Sequence, residues 1–224
     1  MKSYLSAVRA VIWKDLTAEW RSRENLSAML VFALLVILIF NFALELDIQS
    51  QDYLASGILW STFIFAGTIG LNRSLAVEKD RGCLDGLLLA PVDRSVIYFG
   101  KAIGNLIFML IVEIIILPVY SFLYDVALFQ PGFLLIVLLG SIGYIAVGTL
   151  LATMVVQVRT RDILLPILLF PLTLPVIIAA VKASQGFLQL LPLAEVLPWI
   201  NILIVYDLIF CAAAFMLFDF VVEE

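Results

Sequence analysis

The sequence has no histidine, only two cysteines and few charged residues. Without histidine, the chain cannot form a Ser–His catalytic triad or a mixed Cys/His metal site. It also lacks the G-x-x-x-x-G-K-[ST] phosphate loop, because Gly100-Lys101 is followed by Ala102 and no upstream glycine has the required spacing. The chain is therefore not predicted to be an enzyme, and another chain must bind any ATP that drives it.

Charged residues make up 14% of the chain, whereas a soluble domain has about 25%. Apolar residues make up 64%, and the mean hydropathy is +1.14. A core in water cannot bury such an excess of apolar side chains, but a lipid bilayer can surround them. We therefore predict an all-α integral membrane protein with a single transmembrane domain over residues 1–224.

A membrane-spanning helix needs about 20 mostly apolar residues. Six stretches meet this requirement, at 26–44, 55–71, 102–123, 132–155, 163–181 and 200–220. The fifth contains Pro166, Pro171 and Pro175, but proline is tolerated better in transmembrane helices than in soluble ones. The stretches are continuously apolar rather than alternating, which favours helices over the strands of a membrane barrel.

The basic residues lie on one side of the predicted bundle. Of the 13 lysines and arginines, all except Lys182 precede the first span or lie between spans two and three or spans four and five. The loops at 45–54 and 124–131 contain none. The positive-inside rule therefore predicts a multi-pass protein with both termini in the cytoplasm.

Residues 1–24 precede the first span and are predicted to form a helix along the inner leaflet. Its apolar face has helical spacing and comprises Leu5, Val8, Ile12 and Leu16. Asp15 and Glu19 interrupt this face, while Trp13 and Trp20 suit the headgroup level. The alternative is a plain cytosolic extension.

The loop at 73–101 joins spans two and three. A charged cluster leads into the apolar stretch 84–90, which Pro91 ends because proline disfavours helix in the residue before it. The stretch is too short to cross a bilayer, so it either lies on the membrane or docks into a groove on a partner. A solvated connector that stiffens the bundle remains an equal alternative.

Two acidic residues lie inside predicted spans, Glu113 in the third and Asp207 in the sixth. A charge at this depth costs about 2.5–3.5 kcal/mol on insertion scales, so such residues usually face the bundle interior or water. Two roles stay open for them. They form a polar inner path or coupling element, or they make structural hydrogen bonds.

The stretch at 184–199, between spans five and six, is apolar but interrupted by Pro192 and Pro198. The prolines interrupt it too often for one helix across the bilayer, and it is too apolar to lie free in water. We predict a short periplasmic segment, interfacial or re-entrant, that contains Glu195 and is anchored by Trp199 at the headgroup level.

Three stretches carry a resemblance to a known family. Residues 78–91 follow the pattern Glu-x-x-Arg-Gly-x-Leu-Asp-x-Leu-Leu-x-x-Pro, residues 170–180 form a proline-rich part of span five, and residues 13–16 read Trp-Lys-Asp-Leu. Together they resemble the ABC-2-type permeases, and within these the permease family of the cytochrome c maturation system. The resemblance covers essentially the whole chain. It implies a type V exporter-like fold with an N-terminal interfacial helix and a cytoplasmic coupling helix.

The resemblance also implies a function in the bacterial inner membrane. The permease would couple ATP hydrolysis by a separate ATP-binding subunit to release of a haem-loaded periplasmic chaperone. A haem-handling membrane subunit, a small single-span subunit and a second copy of the chain would complete the complex, with ATP and haem held by partners and no cofactor on this chain. No nucleic acid is involved. The residues implied at the ATPase-coupling interface are Glu78, Arg81, Leu84, Asp85, Leu87, Leu88, Leu89 and Pro91.

Two other functions stay open at this point. An ABC-2 exporter could carry another substrate, such as a lipid, a polysaccharide or a drug. A membrane scaffold without transport is the third possibility, and co-purification with a nucleotide-binding subunit would separate it from the other two.

The charge asymmetry predicts the topology directly. A reporter fused after Glu224 should be cytoplasmic, and a reporter inserted near Gln49 should be periplasmic, because the loop around Gln49 contains no basic residue. Paired alkaline phosphatase and fluorescent-protein fusions measure both positions. A periplasmic C-terminus would be incompatible with six spans and a cytoplasmic N-terminus.

Overall fold

A computed structural model describes residues 2–43, 48–80, 82, 86 and 93–221, and this part of the chain contains helices and no strand. The helices are α1 (Lys2–Ser22), α2 (Glu24–Ala43), α3 (Ile48–Asp80), α4 (Arg94–Tyr124), α5 (Pro131–Val155), α6 (Arg161–Leu188) and α7 (Leu193–Val221).

The six helices from α2 to α7 are long and apolar enough to cross a membrane. This confirms the six predicted spans. Most are longer than the apolar stretches that predicted them, because the helices continue into polar flanks at their ends. The prolines at 166, 171 and 175 lie inside α6, which stays helical through all three.

Helix α5 lies at the centre of the bundle and packs against α3, α4, α6 and α7. In the most apolar parts of α3 and α5, 72% of the residues are buried, against 17% in α2 and 28% in α7. A close approach between α3 and α5 is possible because Gly140 has no side chain. A Cβ atom there would lie 2.2 Å from the ring of Trp60, whose indole nitrogen donates to Ser184 Oγ at 2.9 Å.

Tyrosine hydroxyls connect neighbouring helices by donating to backbone carbonyls. The pairs are Tyr98 to Ala146 at 3.0 Å, Tyr120 to Ala55 at 2.7 Å, Tyr124 to Ile37 at 3.2 Å and Tyr206 to Leu172 at 2.9 Å. Hydrocarbon offers no hydrogen-bond partner, so a buried hydroxyl must find an acceptor inside the protein. These bonds help to fix how the spans sit against one another.

Helix α1 packs along α4, but through a face different from the predicted one. Leu5 is 63% exposed, whereas Val8 and Val11 are buried against Val96. The buried face is rotated because Asp15 and the residues around it face α4, where Asp15 has a charged partner. The predicted helix is thus confirmed, and its predicted apolar face is wrong at Leu5. Its place along the inner leaflet stays a prediction.

The separate segment predicted at 184–199 is also corrected. Helix α6 continues to Leu188, a turn with Leu190 at φ 53° follows, and α7 begins at Leu193. Pro192 directly precedes α7 and marks its start, whereas Pro198 lies inside the helix without ending it. Glu195 is exposed in the first turn of α7, and Trp199 packs against the main core.

Candidate functional site

The last two turns of α3, just before the loop predicted to couple to a partner, are tied to their neighbours by charged side chains. Three ion pairs and one hydrogen bond reach α2, α4, the turn after α5, and α6. They are Arg73–Glu24 at 2.9 Å, Glu78–Lys101 at 2.8 Å, Lys79–Gln157 and Asp80–Arg161 at 2.8 Å. We call this end of the molecule the basic end.

Lys101 on α4 is the buried centre of this region, with 2% of its surface exposed. Its ammonium lies 2.9 Å from Asp15 Oδ2 on α1 and 2.8 Å from Glu78 Oε1 on α3. Lys14 on α1 also contacts both carboxylates, at 3.2 Å for Asp15. Two lysines and two carboxylates thus form a neutral four-residue group, which we call the Lys101 cluster.

The carboxylates keep Lys14 charged. Burial alone lowers the pKa of Lys14, but Asp15 and Glu78 outweigh that effect, so the pKa is raised above its ordinary value. A raised lysine pKa stabilises the fold below the ordinary value of 10.5 and loses that effect only as the pH rises through the raised value. The cluster therefore keeps the Lys14 ammonium charged at neutral pH.

The charged contacts of the basic end differ in strength. Asp80 and Arg161 are partly exposed to solvent, and pairs of that kind contribute about 0–1 kcal/mol. Lys101 is buried, and removing one partner from a buried ion pair costs about 3–5 kcal/mol because the remaining charge is left uncompensated. The Lys101 cluster is therefore the contact that decides how α1, α3 and α4 meet.

Most residues predicted for the coupling interface lie outside the described residues. They are Arg81, Leu84, Asp85, Leu87, Leu88, Leu89 and Pro91. Glu78 is described, and its Oε1 atom faces Lys101 and Lys14 inside the protein. Glu78 and Lys101 bracket the loop in sequence, so their contact joins the two ends of the loop at its base.

Glu113, predicted to lie deep in the membrane, is buried on α4 next to α5. Its Oε1 atom accepts a hydrogen bond from Ser141 Oγ at 2.5 Å, and its Oε2 atom has no partner among the described residues. About two helical turns towards the basic end, Asn105 donates to Thr149 Oγ1 at 3.1 Å. Glu113 thus belongs to a series of polar contacts along the α4–α5 interface.

Asp207, the other deep acidic residue, lies on α7 against the opposite side of α5. A Cβ atom at Gly143 would lie 2.3 Å from Asp207 Oδ1, so only glycine fits there. Ser141 and Gly143 are separated by about 3 Å of helix rise and roughly 200° of rotation. The two acidic side chains therefore lie at similar depth on opposite sides of α5. Neither oxygen of Asp207 has a hydrogen-bond partner in the part of the chain that the structure describes.

The sequence alone does not predict the Lys101 cluster. There, Asp15 is only an interruption of the apolar face of α1, and Lys101 is only a basic residue of the loop. The signal was present in both. A charge on the apolar face of a helix needs a partner when that face is buried, and Lys101 is followed directly by the apolar residues of a span.

Among the described residues, no group of three or more Cys, Asp or Glu side chains is placed to hold a metal ion. In the Lys101 cluster, the two lysines and the two carboxylates are paired with one another, and the cations and carboxylates alternate. The arrangement is one that fixes helices and positions a loop.

Comparison with known proteins gives consistent matches over most of the chain. The family model described as CcmB protein matches residues 6–218. Heme exporter protein B of Rhodobacter capsulatus is 28% identical over 194 residues, which cover 84% of this chain and 88% of that protein. The heme exporter B proteins of Pseudomonas aeruginosa and Bradyrhizobium diazoefficiens are 26% and 25% identical and cover 81% of this chain and 82% of each relative.

The hydrogen bond between Glu113 and Ser141 predicts how substitutions at Glu113 behave. Glu113→Gln keeps an acceptor for Ser141, so it should leave folding and cytochrome c maturation near wild type. Glu113→Leu leaves the Ser141 hydroxyl unpaired and should lower the free energy of unfolding by about 1–3 kcal/mol. Unfolding in mixed micelles and the cellular level of c-type cytochromes measure the two effects.

Ser141→Ala is the matched control for this pair. In the Glu113→Leu background it should cost little more, because the hydroxyl that lost its partner is removed as well. A Glu113→Gln protein that folds normally but fails to support cytochrome maturation would show that the carboxyl group has a functional role.

Proposed function

The chain belongs to the CcmB protein family, and we propose that it works as the permease subunit of a haem export system under the control of a separate ATP-binding subunit. The observation that carries this proposal is the family match over residues 6–218 together with six membrane-spanning helices. The chain is thus a membrane permease component of the haem export and cytochrome c maturation system.

The proposed site of coupling is the loop between α3 and α4. The ATP-binding subunit would dock on residues 84–90, with Leu87, Leu88 and Leu89 as apolar contacts and Arg81 and Asp85 as charges that set the register. The geometry at the base of the loop supports this role. Because Glu78 pairs with Lys101 at 2.8 Å, a force on the loop acts on α3 and α4 together.

The Lys101 cluster extends the coupling to α1. Asp15 and Lys14 tie α1 to the same two helices, so a shift of the loop would also move the surface helix. Arg161 on α6 pairs with Asp80 on α3, and this pair links the loop to the proline-containing helix. We propose that these contacts carry movement of the ATP-binding subunit into the bundle.

The remaining partners follow from the same proposal. A haem-handling membrane subunit, a small single-span subunit, a periplasmic haem chaperone and a second copy of the chain would complete the complex, and ATP hydrolysis would drive release of the haem-loaded chaperone. The basic end, with the termini, faces the cytoplasm in this arrangement because basic residues concentrate there.

We propose that haem is handled by the partners and is not ligated by this chain. Histidine, the commonest axial ligand, is absent, which leaves Met, Cys and Tyr. Met29 and Met109 are buried where α3 approaches through glycines, so their sulfur atoms pack inside the protein. Cys211 lies on α7, and Cys83 lies outside the described residues.

Substitutions in the loop test the docking of the ATP-binding subunit. Leu88→Asp and Arg81→Ala should each abolish co-purification of that subunit while the permease still inserts into the membrane. In Leu88→Asp, a charge is introduced into an apolar groove, which strongly weakens a small interface. In Arg81→Ala, a charge that sets the register of docking is lost. Affinity purification of the tagged permease from detergent extracts measures the amount of bound subunit.

Two controls use the opposite end of the bundle. Leu190→Asp changes an exposed leucine in the turn after α6, and Lys182→Ala removes an exposed cation from that helix, so both should leave co-purification unchanged. Full association of the ATP-binding subunit with both loop variants would remove residues 84–90 from the interface.

Spectroscopy of the isolated permease tests the assignment of haem to the partners. Purified without partners, the chain should contain no stoichiometric haem with the sharp spectrum of a low-spin, six-coordinate iron, and haem should appear when the haem-handling subunit is present. A stoichiometric ligated spectrum from the permease alone would show direct haem ligation by this chain.

A further inference from the structure

A cavity of about 470 Å³ lies at the basic end, between the ends of α1 and α3 and the beginnings of α2 and α4. Its lining includes cations, carboxylates and apolar side chains, among them Arg21, Asn25, Arg73, Glu78 and Phe108. The Lys101 cluster closes one side of it, since Asp15, Glu78 and Lys101 all contribute to the lining. The ion pairs described above do not account for this space or for all the polar groups around it.

Two arginines face the cavity from different helices. Arg73 on α3 is partly exposed and pairs with Glu24 at 2.9 Å. Arg21 on α1 is exposed and has no ion pair with any carboxylate in the described part of the chain. Guanidinium groups bind phosphate through several parallel hydrogen bonds, and Arg21 has its full set of donors available.

Two acceptors in the walls of the same cavity lack partners. Asn25 is 7% exposed, and its Oδ1 atom has no hydrogen-bond donor among the described residues. Glu78 uses Oε1 for its lysines, while its Oε2 atom is likewise without a donor. A buried acceptor without a donor is unfavourable, so a ligand with N–H groups would be stabilised here. Both residues belong to the lining of the cavity.

The position of the cavity indicates where its ligand comes from. Phe108 and Val77 provide apolar lining, and they lie on spans α4 and α3. Trp20, one residue before Arg21, is 74% exposed on α1, as expected for an indole at the headgroup level. The cavity thus lies where a lipid headgroup meets the hydrocarbon.

We propose that this cavity binds the headgroup of one phosphatidylethanolamine molecule. The lipid phosphate lies between Arg21 and Arg73, and its primary ammonium donates to Glu78 Oε2 and Asn25 Oδ1. The acyl chains leave along Phe108 and Val77. This inference requires only that the chain spans a membrane, so it stands or fails independently of the ATP-driven function.

The groups in the cavity distinguish this lipid from others of the bilayer. Phosphatidylcholine carries the same charges, but its trimethylated ammonium has no N–H donor for Asn25. Phosphatidylglycerol has the phosphate and lacks the cation that Glu78 attracts. A free phosphoethanolamine molecule has the same polar groups and lacks the acyl chains that Phe108 and Val77 contact.

Native mass spectrometry of the full chain in detergent, after delipidation, tests the proposal by titration with each of the three lipids. Phosphatidylethanolamine should bind at one molecule per chain and at least about tenfold more tightly than the other two, because each mismatched headgroup loses a charge-assisted interaction. Free phosphoethanolamine should not displace it at equal concentration.

The variants separate the two parts of the site. Arg21→Gln should weaken phosphatidylethanolamine binding at least about tenfold, and Arg21→Lys should restore much of it. Asn25→Leu should reduce the preference over phosphatidylcholine. Arg159→Gln changes an exposed arginine at the same end but outside the cavity, so binding should be unchanged.

Three results would overturn the assignment. Equal binding of the three lipids would mean that the cavity does not recognise the headgroup. Unchanged binding by folded Arg21→Gln protein, with a melting temperature like that of wild type, would place the lipid elsewhere. Displacement by free phosphoethanolamine at equal concentration would make the ligand a soluble phosphate ester rather than a lipid.

Discussion

The buried ammonium of Lys101 is the interaction on which the basic end of this protein depends. Two carboxylates from different helices share it, Asp15 at 2.9 Å and Glu78 at 2.8 Å, and Lys14 completes the charge balance. A helix along the surface and two spans are therefore held by one group of side chains. None of the four charges can be removed without leaving another one buried and uncompensated.

The same constraint explains the rest of the bundle. Hydrocarbon supplies no hydrogen-bond partner, so polar side chains in the spans generally bond to one another or to backbone carbonyls. The α4–α5 interface shows this with Asn105 on Thr149 and Ser141 on Glu113. Asp207 is an exception among the described residues. At the basic end the polar contacts become ionic, and they surround the base of the loop that we propose as the docking site. The coupling that we propose needs such a rigid connection between loop and spans.

The number and type of the spans could be predicted because long apolar runs and the placement of basic residues depend on local sequence alone. The prolines at 184–199 led to the wrong prediction of a separate segment. Pro198 is accommodated within α7, and the stretch forms the end of α6 and the beginning of α7. The Lys101 cluster could not be predicted, because it joins residues 14–15, 78 and 101, and only the packing of α1 on α4 brings them together. The charged residues can be read from the sequence, whereas their pairing depends on how the helices pack.

The central claim is that the Lys101 cluster positions the coupling loop, and the most direct test is the Lys101→Met variant in the intact complex. Membrane insertion should persist, while co-purification of the ATP-binding subunit should fall sharply, and Lys101→Arg should restore part of it. Lys182→Met, which removes a lysine from the opposite end, should have no effect. Full association of the ATP-binding subunit with a stably inserted Lys101→Met permease would contradict the account.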